Sequence, residues 1–244
     1  MAGNIVVSQI NGGSIGVINA IINGNFQVNQ RGVSGTVTLA AGVYGHDRWK
    51  AGASGCTYTF ATANNITTLT ISAGSLIQVI EGNNLFTGTY TLSWTGTAQG
   101  KIGGGSYASS GMTGTPAGGS DLNIEFNTGT LSLVQFEPGS VATPFERRLY
   151  GDELALCQRY YLDTTAAFSQ FYNGNGPNVA YSCNISFPAT MRTAPTIVFS
   201  NISATLTNAD AADFISANGF AYRVNMTATG VVSRYSAARC TSEL

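Results

Sequence analysis

The sequence predicts an all-β protein made of two β domains that are joined by one short helix. Three observations support this fold class. Short runs of Val, Ile, Thr and aromatic residues recur along the chain, with turn-forming Gly and Asn between them. Within several runs, apolar and polar residues alternate, as in strands with one buried face. Only one stretch, which starts near Tyr150, has a helical period. We therefore expect a jelly-roll β-sandwich, a linking helix and a second, small β-sandwich.

The composition excludes several classes of protein. Only 9% of the 244 residues are charged, and the formal net charge is −1, so the dense basic surface that nucleic acid requires is missing. No apolar run approaches the roughly 20 residues that cross a bilayer, and no secretory signal opens the chain. We predict no nucleic-acid partner, no membrane insertion and no cofactor.

The first domain is predicted to span residues 23–149. Its candidate strands are Val33–Leu39, Thr57–Phe60, Ile66–Ile71, Leu76–Ile80, Thr89–Trp94, Leu122–Phe126 and Leu131–Phe136. Tyr90, Leu92 and Trp94 alternate with polar residues, which predicts one inward and one outward face. Leu131–Phe136 is apolar throughout and is predicted to be buried on both faces. The Gly- and Ser-rich stretch Lys101–Ser120 is predicted to be a surface loop.

A helix is predicted over residues 150–163, with Gly151 or Asp152 as its N-cap and Glu153 in its first turn. An apolar stripe of the helix is formed by Leu154, Cys157 and Tyr161, at positions i, i+3 and i+7, and Tyr160 flanks it. A helix this short is marginal in water on its own, so we expect the stripe to pack against other subunits of a homotrimer. The predicted interface residues are Leu154, Cys157, Tyr160 and Tyr161.

The second domain is predicted to span residues 164–244. Val179–Phe187 and Phe220–Met226 show the clearest alternation in the chain, and Thr196–Phe199, Ile202–Leu206 and Val231–Tyr235 supply further strands. About 80 residues give a small core, and its inner faces carry large aromatic rings. Association with copies of itself would cover those faces.

A resemblance to a known family is carried by three segments. The sequence GSVATPFERRLYGDELALCQRYY (Gly139–Tyr161) is similar to a segment of many bacteriophage tail-fibre and other virion-surface proteins, where it closes a carbohydrate-binding-module-like sandwich. NGNFQVNQRG (Asn23–Gly32), with His46–Trp49, resembles the opening strands of that sandwich. FPATMRTAP (Phe187–Pro195) resembles small C-terminal fibre domains. The resemblance implies a β-sandwich fold on a virion surface, on the tail or the capsid, and it brings no catalytic residues.

Residues 1–22 carry no charged side chain. A charge-free and rather apolar stretch is unusual for a free chain end. We predict that residues 1–22 anchor the chain to other virion proteins. The alternative is a first strand that follows a flexible start.

Residue patterns that could support catalysis are few, and the sequence predicts that the protein is not an enzyme. His46-Asp47-Arg48-Trp49 contains the only histidine and has no nucleophile partner, which disfavours a catalytic cluster. The resemblance implies that these positions are framework of the sandwich, with the arginine paired to a carboxylate and the tryptophan in the core. Asp121, Asn123 and Glu125 share one strand face, which favours a solvated face over a calcium or glycosidase site. The four cysteines are widely spaced, so we expect buried thiols and no metal site.

Aromatic rings beside flexible turns are the candidate glycan contacts, because proteins stack such rings on sugars. The candidates are Tyr107, Phe171, Tyr172, Phe220 and Tyr222. Four of them place recognition in the C-terminal domain, although that domain could instead be a trimerisation clamp. We expect a short trimeric fibre or spike that attaches to a host-surface glycan. The alternatives are a capsid decoration protein or head fibre that stabilises the shell, and a polysaccharide depolymerase.

Overall fold

The computed structural model describes residues 19–164, 168–174, 176–177, 179–205, 207 and 210–244. For 168–174, 201–205, 232, 233 and 235, it describes the backbone only. Most of the predicted anchor, residues 1–18, lies outside this part of the chain. The described residues form antiparallel β-sheets and one α-helix, which agrees with the predicted all-β class. No helix among them is long and apolar enough to cross a membrane.

The N-terminal unit (residues 19–149) contains eight strands that pair into one sheet. They are β1 (Val37–Leu39), β2 (Lys50–Ala63), β3 (Ile66–Ile80), β4 (Tyr90–Thr95), β5 (Gly100–Ile102), β6 (Met112–Gly114), β7 (Leu122–Phe126) and β8 (Gly129–Pro138). A short 3₁₀ turn, Gly82–Asn84, follows β3.

Strand β3 organises the sheet of the N-terminal unit. One edge of β3 pairs with β2, and the other edge pairs first with β8 and then with β7. β1 lies beyond β2, β4 and β6 lie beyond β8, and β5 lies beyond β7. Side chains from β1 at one end and β6 at the other join the same hydrophobic cluster. The sheet therefore curls around a single core, in which Trp49, Tyr58, Phe126 and Phe136 are fully buried.

Most predicted strands are present, but several of their boundaries differ from the prediction. Ile66–Ile71 and Leu76–Ile80 are one strand, because Gly74 adopts a φ of +72° and lets β3 continue past a bulge. A side chain there would meet the carbonyl oxygen of Gly55 at 2.0 Å, so only glycine fits. The prediction of a loop over Lys101–Ser120 is wrong in part, since this stretch contains the end of β5 and all of β6.

Strand burial follows the predicted patterns closely. Tyr90, Leu92 and Trp94 point inward, although Thr91 on the opposite face is also buried and donates its hydroxyl to the carbonyl of Gly139. Strand β8 is buried at nearly every position from Leu131 to Glu137, as predicted for Leu131–Phe136.

Helix α1 (Tyr150–Gln158) is shorter than predicted and begins differently. Leu149 is its N-cap, without a side-chain hydrogen bond, so neither Gly151 nor Asp152 has that role. Tyr161 does not belong to the helix, because it starts strand β9 (Tyr161–Asp163) and pairs with Thr241. The C-terminal unit therefore begins at residue 161, not at 164.

The helix packs against the start of the described chain. Cys157 and Tyr160 lie in a cluster with Ile22 and Val28. Ala20 donates its backbone N–H to the carbonyl of Phe136 (2.9 Å). Residues 19–22, the last four of the predicted anchor, are thus part of the N-terminal unit.

The described residues of the C-terminal unit (residues 161–244) form two sheets. The remaining strands are β10 (Phe168–Gly174), β11 (Ala180–Ser186), β12 (Thr196–Thr205), β13 (Ala211–Ser216), β14 (Gly219–Asn225) and β15 (Gly230–Thr241). Strand β15 pairs with β9, β10 and β12, and β14 pairs with β11 and β13. Side chains from both sheets meet in one core, which is separate from that of the N-terminal unit. In β11 the predicted alternation of inward and exposed residues is confirmed.

Buried charges join the two units. Glu243, just after β15, forms ion pairs with Arg48 and with Arg31 (3.0 Å). The Arg48 guanidinium lies over the ring of Tyr160 at 3.5 Å, and Arg31 lies over that of Tyr161 at 3.7 Å. A second junction pairs Glu81 with Arg159 (3.2 Å) and with Arg192 (3.8 Å).

Candidate functional site

Tyr107, a predicted glycan contact, is half-buried beside strands β5 and β7. Its ring lies under the Lys101 ammonium at 4.9 Å, and burial together with hydrogen bonding to Glu125 raises its pKa to about 12. Both the ring and the hydroxyl therefore already have partners within the chain.

Two of the predicted contacts in the C-terminal unit lie in its core. Phe220 and Tyr222 are core residues, 3% and 0% exposed, so neither ring offers a face to a sugar. Tyr222 donates its hydroxyl to Asp210 at 2.6 Å. Burial, with Asp210 next in importance, raises the pKa of Tyr222 to about 12. Phe171 and Tyr172 lie in β10, and their side chains are outside the described part of the structure.

The predicted subunit-interface residues are largely covered by the chain itself. Cys157, Tyr160 and Tyr161 are buried within one chain, and Leu154 is half-buried against the same cluster. Cys157 is also a free thiol, as are the buried Cys56 and Cys240. The large apolar residues that are exposed at the start of the helix or shortly before it in the sequence are instead Val141, Leu149 and Tyr150.

The His46–Trp49 segment is framework, as predicted. Trp49 is fully buried and donates its indole N–H to the carbonyl of Asn23 (3.0 Å), while Arg48 pairs with Glu243. Burial lowers the pKa of His46 to about 4, so the imidazole is neutral near pH 7 and stays in contact with the Tyr58 hydroxyl at 3.0 Å. A buried neutral ring in this setting is a packing residue.

The carboxylates on the β7 face also have structural partners. Asp121 accepts the backbone N–H of Gly82 at 2.8 Å. Glu125 accepts the Ser75 hydroxyl at 2.7 Å and pairs with Lys101 at 2.6 Å. Across the described residues, no three His, Cys, Asp or Glu side chains are grouped so that they could hold a metal ion.

A cleft beside an exposed aromatic ring was not foreseen from the sequence. Phe86 is 78% exposed, and it follows the 3₁₀ turn that connects β3 to β4. The ring stands at a cleft of about 420 Å³, which we call the Phe86 cleft. Its other lining residues include Ile22, Asn83, Asn84, Tyr90, Arg148 and Leu156. It combines an apolar ring with amide and guanidinium groups.

A second cleft, of about 360 Å³, lies on the other side of Asn83, and we call it the Glu81 cleft. It is lined mainly by polar groups, among them Glu81, Asn83, Asp121, Arg159, Arg192 and Thr193. The Glu81 side chain is only 9% exposed. Its Oε2 accepts from Arg159, whereas no donor in the described part of the chain hydrogen-bonds to its Oε1.

The local sequence explains why this loop was missed. Glu-Gly-Asn-Asn-Leu-Phe (Glu81–Phe86) was readable as a turn, since Gly and Asn favour turns. A single phenylalanine beyond a turn has no periodic neighbours that indicate whether it is buried. Leu85 is buried in the core of the N-terminal unit and Phe86 is exposed, and only tertiary packing decides between them.

Comparison with known proteins found no match: no family model fits the chain, and no curated protein and no solved structure matches it.

Proposed function

We propose that this protein is a non-enzymatic virion-surface protein of a bacteriophage, a short fibre or spike that attaches to a host-surface glycan. Resemblance of Gly139–Tyr161 to phage fibre proteins supports the setting, and the all-β fold agrees with it. The N-terminal unit is a jelly-roll β-sandwich in this proposal, since one core is enclosed by a curled antiparallel sheet. The C-terminal unit is a second, small β-sandwich.

The assembly is a homotrimer in this proposal, held beside helix α1, with residues 1–22 contacting other virion proteins. Leu149 is 76% exposed just before the helix, and Val141 and Tyr150 are exposed nearby. Exposed apolar side chains close to one another in sequence favour a subunit contact. Three copies would turn weak single sites into useful avidity.

The observation that carries the glycan proposal is the Phe86 cleft. A ring exposed on a loop can stack on the apolar face of a sugar, while side-chain amides at the same cleft bond its hydroxyls. Asn83 and Asn84 supply both donors and acceptors there. The volume falls within the range of about 300–1,000 Å³ that is typical of small-ligand sites. We therefore place recognition in the N-terminal unit, unlike the sequence prediction.

The test compares Phe86→Ala with Phe214→Ala on an array of bacterial surface polysaccharides. Phe214 is a matched control, because it is 91% exposed but lies in β13 of the C-terminal unit. Loss of the stacking ring should weaken binding by about tenfold or more, whereas F214A should bind like the parent. Sedimentation of the same samples at micromolar concentration should give a trimer.

Two results would contradict the proposal. If the parent protein binds no polysaccharide on the array, the proposed attachment to a host-surface glycan is wrong. Loss of binding in F214A with retention in F86A would return recognition to the C-terminal unit.

A further inference from the structure

We infer that the Glu81 cleft is a second glycan subsite, which takes one uncharged sugar ring of the same oligosaccharide that stacks on Phe86. This inference rests on the proposed function and names the ligand class and the residues that select it.

Glu81 is a buried carboxylate with only one of its oxygens satisfied. Oε2 accepts from Arg159 at 3.2 Å, and Oε1 stands 3.8 Å from Nε of Arg192, too far for a hydrogen bond. Arg192 instead donates from Nε to the carbonyl of Ser242 at 2.8 Å. Buried polar atoms are nearly always hydrogen-bonded, so the unpartnered Oε1 of a residue that lines the cleft is the acceptor that a ligand donor would satisfy.

A ligand hydroxyl can pair with Oε1 of Glu81 and with one guanidinium of the cleft. The single N–H of Arg192 Nε is already donated to Ser242, so the hydroxyl accepts from a terminal N–H of Arg159 or Arg192. A hydroxyl can donate to the carboxylate and accept from the guanidinium, which an ammonium or a carboxylate of a ligand cannot do at once. The Arg192 and Arg159 side chains are 27% and 38% exposed, so both can adjust to a ligand.

The charges around the cleft select an uncharged ligand. Two carboxylates, Glu81 and Asp121, face two guanidiniums, Arg159 and Arg192. This balance favours neither an anionic nor a cationic ligand, and the scarcity of apolar lining disfavours a flat aromatic one. A ring with several adjacent hydroxyls satisfies acceptors and donors together, as a neutral hexose does.

Asn83 connects the two clefts, because it lines both of them and is exposed. An oligosaccharide that crosses Asn83 would place one ring on Phe86 and the next at Glu81. A disaccharide should therefore bind at least about tenfold more tightly than either of its monosaccharides.

The experiment is titration calorimetry of the full chain with mono- to tetrasaccharides. They are made by hydrolysing those neutral polysaccharides on the array to which the parent protein binds. Glu81→Gln removes the negative charge but keeps the shape, and it should weaken disaccharide binding by about tenfold. Asn83→Ala, at an exposed position, should also weaken it without lowering the thermal midpoint. Glu125→Gln is the matched control, since Glu125 pairs with Lys101 outside both clefts, and it should bind like the parent.

The outcomes separate this inference from the proposed function. If E81Q and N83A bind like the parent while F86A does not, glycan attachment stands and the second subsite is wrong. Equal affinities for mono- and disaccharides would also overturn the second subsite. If the parent protein binds no neutral polysaccharide on the array, this inference is wrong, whether or not the protein binds charged polysaccharides. Weaker binding by E81Q with an unchanged thermal midpoint supports the subsite over a purely structural role at the junction.

Discussion

At the scale of single residues, the chain buries several titratable groups and neutralises or pairs them. His46 is 1% exposed and contacts the Phe60 ring edge-on, with centroids 4.6 Å apart. Because burial disfavours the charged imidazolium, the pKa of His46 falls from 6.5 to about 4. It is the only histidine in the sequence, so the effect of histidine protonation on folding stability can be measured at this one residue.

We predict that His46 makes the protein less stable as the pH falls from about 6.5 to about 4. In that window the unfolded chain binds a proton at His46 that the folded chain does not bind. This loss of stability is complete near pH 4 and amounts to about 3 kcal/mol of unfolding free energy. Asparagine at this position keeps a hydrogen-bonding side chain but cannot titrate, so H46N should show a shallower fall in stability.

Urea unfolding of the parent and of H46N at pH 7 and pH 4.5 measures this difference. Carboxylates titrate in the same window, but their effect is common to both proteins and cancels in the comparison. Parallel pH profiles would show that His46 is protonated inside the folded chain.

At the scale of elements, helix α1 depends on the segment that precedes the first sheet. Glu153 in its first turn is buried, and it accepts the backbone N–H of Asn23 at 2.6 Å. The same carboxylate pairs with Arg148 at 3.2 Å, and Arg148 donates to the carbonyl of Ile21 at 2.9 Å. One acidic residue therefore fixes the helix to the N-terminal segment.

We predict that Glu153→Ala costs about 3–5 kcal/mol of unfolding free energy, because it leaves Arg148 and the Asn23 N–H buried without their acceptor. The neighbouring Asp152 is exposed, so Asp152→Ala should cost about 1 kcal/mol or less through the helix dipole. Chemical denaturation of both variants gives the two values. Similar losses in both would mean that the charge near the helix start matters and the buried contacts do not.

Prediction from the sequence succeeded where the pattern is local and failed where distant partners decide. Leu122–Phe126 alternates strictly, and β7 has the predicted bounds. The helix period continues to Tyr161, but pairing with Thr241, 80 positions away, makes that residue a strand. Turns flank Phe220 and Tyr222, which favours ligand contacts there, yet the alternation of their strand already predicts a buried face, and both are buried.

At the scale of the whole molecule, the end of the described chain is tied to the start of β2. Glu243 lies between Arg31 and Arg48, and Arg48 also donates to the carbonyl of Val79 at 2.7 Å. Leu244 accepts at its carbonyl oxygen from Lys50 at 2.7 Å and from the Tyr44 hydroxyl. Desolvation, followed by the charge of Glu243, raises the pKa of Tyr44 to about 12, so its hydroxyl remains a donor at neutral pH.

We predict that Glu243→Ala destabilises the protein by about 3–5 kcal/mol, because Arg48 is then a buried charge without its counter-ion. Asp213→Ala is the control, since the ion pair of Asp213 with Arg223 is exposed and should contribute little. Thermal unfolding of both variants measures the effect. An E243A midpoint equal to that of D213A would show that Glu243 does not stabilise the junction.

Strand β15 leaves the ribosome after all the strands that it bonds. β9, β10 and β12 all pair with β15, so their sheet cannot close while β15 is still being synthesised. Until then, β10 and β12 present unpaired edges, and such edges are where nascent chains aggregate. Arg48 likewise lacks its ion-pair partner Glu243, 195 positions later in the chain, until that residue has been synthesised. The edges of β10 and β12 that pair with β15 therefore stay open from their own synthesis until Gly230–Thr241 has been made.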